Sequence, residues 1–420
     1  MLDDTLLDDP AALQRADHDR ALLALAGAGA RVRTALRLAD AAGIDRLRPD
    51  GRPRAVLVAG HGSALTAGEV LAALAGTSVL VTPLPPADAA AVPRTDRTAA
   101  APAFTAGLAW QLPGWAGPLD LLVISSADGG EQGLVSLAEQ AYARGCAIVV
   151  TAPAGSPLAE AALQVRALPL PYVPANLPDD GTPPAGSAAE PDLPAEDPAA
   201  LWAHLTPLLA LAQKLGVTQL PYDAPAATAD LLDETAVRCR PDAAAYTNPA
   251  KGLAARLAGT VPLLWAEGPV AEAAAVRFAA QLADRAGRPA LAGRLPQVLT
   301  AHRGMFTGQL GAGADPDDFF RDRVEEPDPL YLQVLLLRHT PAAPGSPVPA
   351  EEDAGPAEVP ADDEGPRSFG ATRAHRLAAA HDVRLTEYAS ARTDPLHALA
   401  DLIALTDFAA VYLGLAAARS

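Results

Sequence analysis

"LDLLVISSADGGEQGLVSLAEQAYARG", residues 119–145, decides how the rest of the chain is read. Leu119 to Ile124 is a run apolar except for Asp120, the mark of a strand buried on both faces. From Gly133 to Arg144, Leu134, Leu137, Ala138 and Ala141 recur at i, i+3, i+4 and i+7. That spacing predicts a helix packed on a sheet and closed by Gly145. Between strand and helix lies Ser125-Ser126-Ala127-Asp128-Gly129-Gly130-Glu131, a hydroxyl- and glycine-bearing turn. Such a turn is where an α/β protein holds a phosphate, on the N–H groups of a helix start. This one carries two acids and few hydroxyls, and whether it can serve that purpose is the question the sequence poses.

The surrounding chain repeats the alternation. "RAVLVAGHGSALTAGEVLAALAG" gives a strand at 54–59, a glycine turn at 60–62 and a helix to about Leu74. "TSVLVTPL" (77–84) and "CAIVVTAP" (146–153) supply further strands, so the expected class is α/β with a doubly wound parallel sheet. "TVPLLWAEGPVAEAAAVRFAAQLADRAG" (260–287) repeats the strand, turn and Ala-rich helix of 54–76, which suggests a duplicated sheet unit. A strand at 330–338 and a helix at 372–382 follow. The last helix, "PLHALADLIALTDFAAVYLGLAA", is apolar enough to require burial against a core or a partner. The expected organisation is an N-terminal helical segment at 1–50, a first domain at 51–167, a Pro/acid linker at 168–199 and a second domain at 200–420. Residues 340–367 and much of 175–198 mix Pro, Ala and acid without an apolar period and are expected to be mobile.

Bulk properties narrow the function. The chain has 420 residues and a formal net charge of −18, which argues against nucleic-acid or anionic-membrane partners, since both need a basic face. Two cysteines, Cys146 and Cys239, make neither a disulfide framework nor a metal cluster. The acidic start MLDDTLLDDP lacks the order of a signal peptide, and no charge-free run reaches a membrane span of ~20 residues, so a cytoplasmic protein is expected. Gly60-x-Gly62 opens like a dinucleotide turn. Leu65, however, stands where its third glycine belongs, and Asp88 lies too far along to bind a ribose, so no nicotinamide cofactor is assigned.

Several stretches together resemble the sugar isomerase (SIS) domains, and more narrowly the bifunctional phosphoglucose/phosphomannose isomerases of bacteria and archaea. "VLVAGHGSA" is similar to the first glycine turn of that family, and "DLLVISSADGGEQGL" to its Ser-x-Ser-Gly-x-Thr-x-Glu phosphate loop. "TNPAKGLAARL" (247–257) resembles its Asn-x-Ala-Lys segment, and "VRFAAQLADRAGRPALAGRLPQVLTAH" (276–302) its catalytic stretch. "LIALTDFAAVYLGL" (402–415) resembles its C-terminal Gly-Asp-Trp-Thr-Ser-x-Tyr-Leu helix. The resemblance implies two SIS domains, flavodoxin-like three-layer α/β/α sandwiches, in a homodimer with active sites near the subunit interface. It also implies aldose–ketose isomerisation of hexose 6-phosphates, with neither metal nor organic cofactor.

Carried over position by position, the resemblance implies a phosphate cradle of Gly60, Gly62, Ser63, Ser125, Ser126, Gly129, Gly130 and Glu131. Ser125 matches the first loop serine and Glu131 the loop glutamate, while Ala127, Asp128 and Gly130 replace a serine, a glycine and a threonine. The same turn also reads as a capped strand-to-helix connection without a ligand. Ala64 aligns with a phosphate-binding serine, and Ser63 lies one residue early. The base position falls on Asp284, one methylene shorter than the family's Glu, and the ring-opening position on His302, a couple of residues late. Each also reads as a structural or solvated side chain. Lys251 reads equally as structural or sugar-facing. In the last helix Asp407 matches, whereas Ala409 and Ala410 replace substrate-contacting Thr and Ser. The family's terminal lysine is expected to be missing. Substitution at so many positions leaves two expectations: an isomerase with altered catalytic positions, or a non-catalytic SIS module that binds a sugar phosphate or a partner protein.

Overall fold

Apolar runs without polar alternation become central strands, because both of their faces are covered. The computed structural model describes residues 4–49, 51–88, 107–175, 196–307, 330–341, 356–359 and 367–417. It divides into two units, one spanning His18–Asp230 and the other joining Met1–Asp17 to Leu231–Ser420.

The first unit holds helix α1 (Ala28–Ala41), β1 (Ala55–Ala59), α2 (Ser63–Ala75), β2 (Leu80–Leu84), β3 (Asp120–Ser125), α3 (Gln132–Ala143), β4 (Ala147–Ala152), α4 (Pro157–Gln164), β5 (Leu168–Pro171) and α5 (Ala200–Lys214). Its sheet runs β2-β1-β3-β4-β5, all parallel. Every residue of β1 and β3 is buried, as their sequences require. On one face Leu57, Leu122 and Ile124 meet Leu134, Leu137, Ala138 and Ala141 of α3, the stripe its spacing predicted. Each such Leu or Ile contributes about 1.5–3 kcal/mol by leaving water.

Two expected boundaries move. Residues 168–171, expected to lie in the linker, form edge strand β5; "LPLP" is tolerated there because an edge strand needs only half its N–H groups. Helix α5, expected in the second domain, belongs to the first unit, where Leu201, Leu205, Leu208, Leu209 and Leu211 are buried. Most of the stretches expected to be mobile, 176–195, 342–355 and 360–366, lie outside the described residues.

The second unit contains α6 (Ala224–Arg238, beginning in the first), α7 (Pro249–Leu257), β6 (Thr260–Glu267), α8 (Gly268–Ala286), β7 (Leu291–Arg294), β8 (Tyr331–His339), β9 (Ala357–Val359), α9 (Phe369–Ala380), β10 (Arg384–Ser390) and α10 (Pro395–Ala416). The sheet order is β9-β10-β8-β6-β7, with β9 alone antiparallel. Without β9 the four remaining strands run in the order of the first four strands of the first sheet, 2-1-3-4, so the repeat seen in the sequence is a repeat of topology. Helix α10 is long and apolar enough to cross a membrane by composition, with mean hydropathy 1.7, yet 89% of that window is buried inside the protein. Asp407 within it is matched by Arg277 of α8 in a buried bidentate pair, Nε to Oδ1 at 3.1 Å and Nη2 to Oδ2 at 2.8 Å.

Candidate functional site

In a sheet ordered 2-1-3-4-5 the chain leaves β1 and β3 toward opposite faces, and the crevice between their carboxyl ends is where such folds bind ligands. The turns Gly60–Ser63 and Ser125–Glu131 both open at that crevice, since β1 and β3 pair in register from Ala55↔Asp120 to Ala59↔Ile124. The two stretches picked out for phosphate are therefore brought together.

Their polar groups are bound to one another. The fully buried Glu131 carboxylate accepts from Ser126 Oγ at 2.7 and 2.9 Å, and from His61 Nε2 at 2.8 Å. Ser126 Oγ also accepts the Gly129 amide at 2.7 Å, and Asp128 Oδ1 takes the Gly130 amide at 2.7 Å. Gly129 adopts φ +71°, and a Cβ there would stand 2.2 Å from Ser156 Oγ, so glycine is required. Ser125 Oγ is hydrogen-bonded to His204 Nδ1 at 2.8 Å, and the His204 ring stacks on Tyr172 at 4.6 Å. Both loop serines are buried and committed to internal partners.

The first turn holds a carboxylate as well. Ser63 N, the first amide of α2, donates to Glu196 Oε1 at 2.7 Å. Gly62, at φ +54°, leaves room for that group; a Cβ there would lie 2.6 Å from the same oxygen. His61 is pushed above its ordinary 6.5 by its hydrogen bond to Glu131, against the opposing effect of burial, with the charges of Glu131, Glu196 and Asp128 adding to the rise. Burial would raise Glu131, but the hydrogen bonds from His61 and Ser126 outweigh it and its carboxyl lies below 4.5. The crevice is thus built for anions, and the anions it holds are its own.

The second-unit positions are placed differently. His302 follows the carboxyl end of β7, where its Nδ1 accepts from Trp265 Nε1 at 3.1 Å and burial lowers its pKa. Asp284 sits at the far end of α8, which runs back from the carboxyl edge of β6; it is half exposed and paired with Arg285 at 2.9 Å. Within one chain the topology puts these two at opposite edges of the sheet. Lys251 is not sugar-facing. Its buried ammonium donates to the carbonyls of Leu7, Pro241 and Ala243 at 2.6–2.7 Å, which uses all three of its N–H groups. At the carboxyl end of the second sheet, sequence reading missed a charged cluster: Arg338 bridges Glu267 and Glu387, and His375 Nε2 meets Glu387 at 2.9 Å. Among the described residues no three His, Cys, Asp or Glu side chains gather as a metal site.

Comparison with known proteins fits this architecture. Residues 246–336 match the family described as bacterial phospho-glucose isomerase C-terminal SIS domain. None of the curated proteins matches the chain in sequence. Among solved structures, a hypothetical protein from Thermus thermophilus superposes with TM-score 0.56 at 15% identity, covering 98% of this chain and 89% of its own. A protein named for phosphosugar isomerase activity from Clostridium difficile 630 gives 0.54 at 10% identity, covering 96% and 95%. A glucose-6-phosphate isomerase from Chlamydia trachomatis gives 0.51 at 11% identity, covering 91% and 68%. These identities carry the fold alone, and the family match itself covers residues 246–336 of the second unit. The second unit thus carries an SIS domain similar to the C-terminal one of bacterial phospho-glucose isomerases.

Proposed function

We propose that this chain binds a sugar phosphate, with the phosphate on the turn from β1 into α2. The observation that supports this is the carboxylate already resting on Ser63 N beside His61. Phosphate makes the same demand for N–H donors and a nearby cation. The sugar comes from kinship, since the similar structures include a glucose-6-phosphate isomerase. On that kinship the activity is aldose–ketose isomerisation of hexose 6-phosphates, glucose or mannose, in a cytoplasmic homodimer with no cofactor. Asp284 as base and His302 as ring-opening group, at opposite edges of one chain's sheet, would then come to one site from different subunits. A second reading, a non-catalytic module that binds a sugar phosphate or a partner protein, is favoured by the commitment of Ser125 and Ser126 to internal partners.

An isomerase assay on fructose, glucose and mannose 6-phosphates, run on the native chain and on Asp284→Glu, separates the two. Turnover that rises roughly a hundredfold in the variant supports catalysis at a shortened base, because about 1 Å of misplacement at a catalytic group has that effect. Binding without turnover in either protein leaves the module, and no binding at all sinks both readings. The homodimer has its own check. A stable interface buries more than ~1,200 Å² in total, so light scattering should give twice the 42.9 kDa chain mass. A monomer mass at high micromolar concentration rejects it.

A further inference from the structure

We propose that Glu196 is a built-in competitor: its carboxylate occupies the place on α2 that a phosphate would take, and a phosphate-bearing ligand binds only as Glu196 leaves. The inference rests on reading the β1–α2 turn as the phosphate site. Helix α2 spans 13 residues and has no side-chain cap from its own neighbourhood. The group that caps it comes from 133 residues away, Glu196 Oε1 on Ser63 N at 2.7 Å. A local Ser or Asp would have capped the helix as well without closing the crevice. Gly62 gives the carboxylate its space, and His61, with its pKa raised, stands close by.

The position of Glu196 is enforced. Arg31 of α1 grips the chain on both sides of the stretch that delivers it. One nitrogen donates to Val173 O at 2.7 Å; the other donates to Asp197 Oδ2 at 2.7 Å and reaches Tyr172 Oη at 3.4 Å. Asp197 Oδ1 then accepts the Ala199 amide at 2.9 Å, at the start of α5. A single guanidinium thus fixes the residue next to Glu196 and ties it to the strand β5 side. A carboxylate held this way competes at a millimolar-scale effective concentration, as short tethers do. Free phosphate ligands at lower concentration are therefore attenuated, and abundant ones displace it.

The test is calorimetric titration of the full native chain, Glu196→Gln and Arg31→Gln with inorganic phosphate and with fructose 6-phosphate. Glu196→Gln should tighten both by about tenfold or more, because the competing charge is gone while the side chain keeps its size. Arg31→Gln leaves the carboxylate but frees its anchor, and should tighten binding in the same direction by less. Hydrogen exchange at the Ser63 amide should quicken in Glu196→Ala, which reads the contact without any ligand. If the variant binds phosphate more tightly but never the sugar phosphate, the competitor stands and the sugar reading falls. Tight sugar-phosphate binding that is equal in all three proteins overturns the competitor and keeps the sugar. Absence of any binding in Glu196→Gln overturns both, whereas unchanged exchange at Ser63 together with unchanged affinity overturns the competitor alone.

Discussion

Replacing Lys251 by Met should lower the stability of the fold by about 3–5 kcal/mol, while the protein that remains folded binds ligand as before. The ammonium is 1% exposed and gives one N–H each to Leu7 O, Pro241 O and Ala243 O. Its charge also faces the Tyr412 ring at 5.5 Å. Burial lowers its pKa, opposed by the charges of Asp8 and Asp242, so desolvation is a real cost that these partners must offset. Methionine fills a similar volume yet donates nothing, leaving three carbonyls unmet in the interior. Each lost hydrogen bond to a charged group accounts for roughly 1.5–3 kcal/mol, discounted for relaxation around the cavity. Leu7 belongs to the first 17 residues, so the N-terminal helices should be the first part of the unit to lose protection from hydrogen exchange. Urea denaturation of both proteins measures the loss. A deficit under about 1 kcal/mol, or lost ligand binding at full stability, would return Lys251 to the sugar.

What could be read from the sequence follows from how each feature is written. Strands β1, β3 and β4 are mostly apolar runs, and the stripe on α3 has the helical period, so these elements were legible almost to the residue, whereas edge strand β5, written "LPLP", was not. Strands β7, β9 and β10 were not. "LAGR" is a short edge strand with a glycine, and "RLTEYAS" alternates toward polar residues, so neither gives a run to notice. The candidate site divides in the same way. Gly60, Gly62, Ser125 and Ser126 were legible because a strand-to-helix turn announces itself locally. Glu196 was not, since it is one acid among many in a Pro-rich stretch and its partner is a backbone amide. Lys251 was ambiguous for the same reason: carbonyl oxygens leave no trace in a sequence. His204 stood inside an ordinary Leu/Ala helix, and only the crossing of α5 behind β3 makes it a partner of Ser125. The two acids of the loop now have their explanation. Glu131 is the anion that Ser126 and His61 bind, and Asp128 closes the turn on Gly130 N.

The second large effect lies on the acid side of neutrality. Burial drives the His204 imidazole down from 6.5 to about 3, with the positive charges of Arg31 and His61 adding to the drop. A depressed folded pKa means that the neutral ring stabilises the fold above 6.5, and that this contribution is lost as pH falls toward 3, because the unfolded chain takes up the proton first. Between pH 6.5 and 4 the loss should be about 3 kcal/mol, close to 1.4 kcal/mol per pH unit. His61 runs the other way. Its raised pKa contributes stability that is complete below 6.5 and is lost as pH rises through the folded value. Glu131, lowered, contributes above 4.5 and loses its share as pH falls through its own folded value. The acid limb therefore mixes His204 with Glu131, and a variant is needed to divide them. His204→Gln keeps a partner for Ser125 but has no proton to accept, so its urea stability should vary less between pH 6.5 and 4 than that of the native chain. Parallel curves would mean that His204 is already protonated or solvated near neutrality. Protonating the ring makes Nδ1 a donor toward Ser125 and places a cation against Tyr172 and near Arg31, which holds Asp197 beside Glu196. Acid should therefore loosen the crevice between β1 and β3 before the sheet itself, and the Ser63 amide should exchange faster at pH 4.5, relative to the strand β3 amides, than at pH 7.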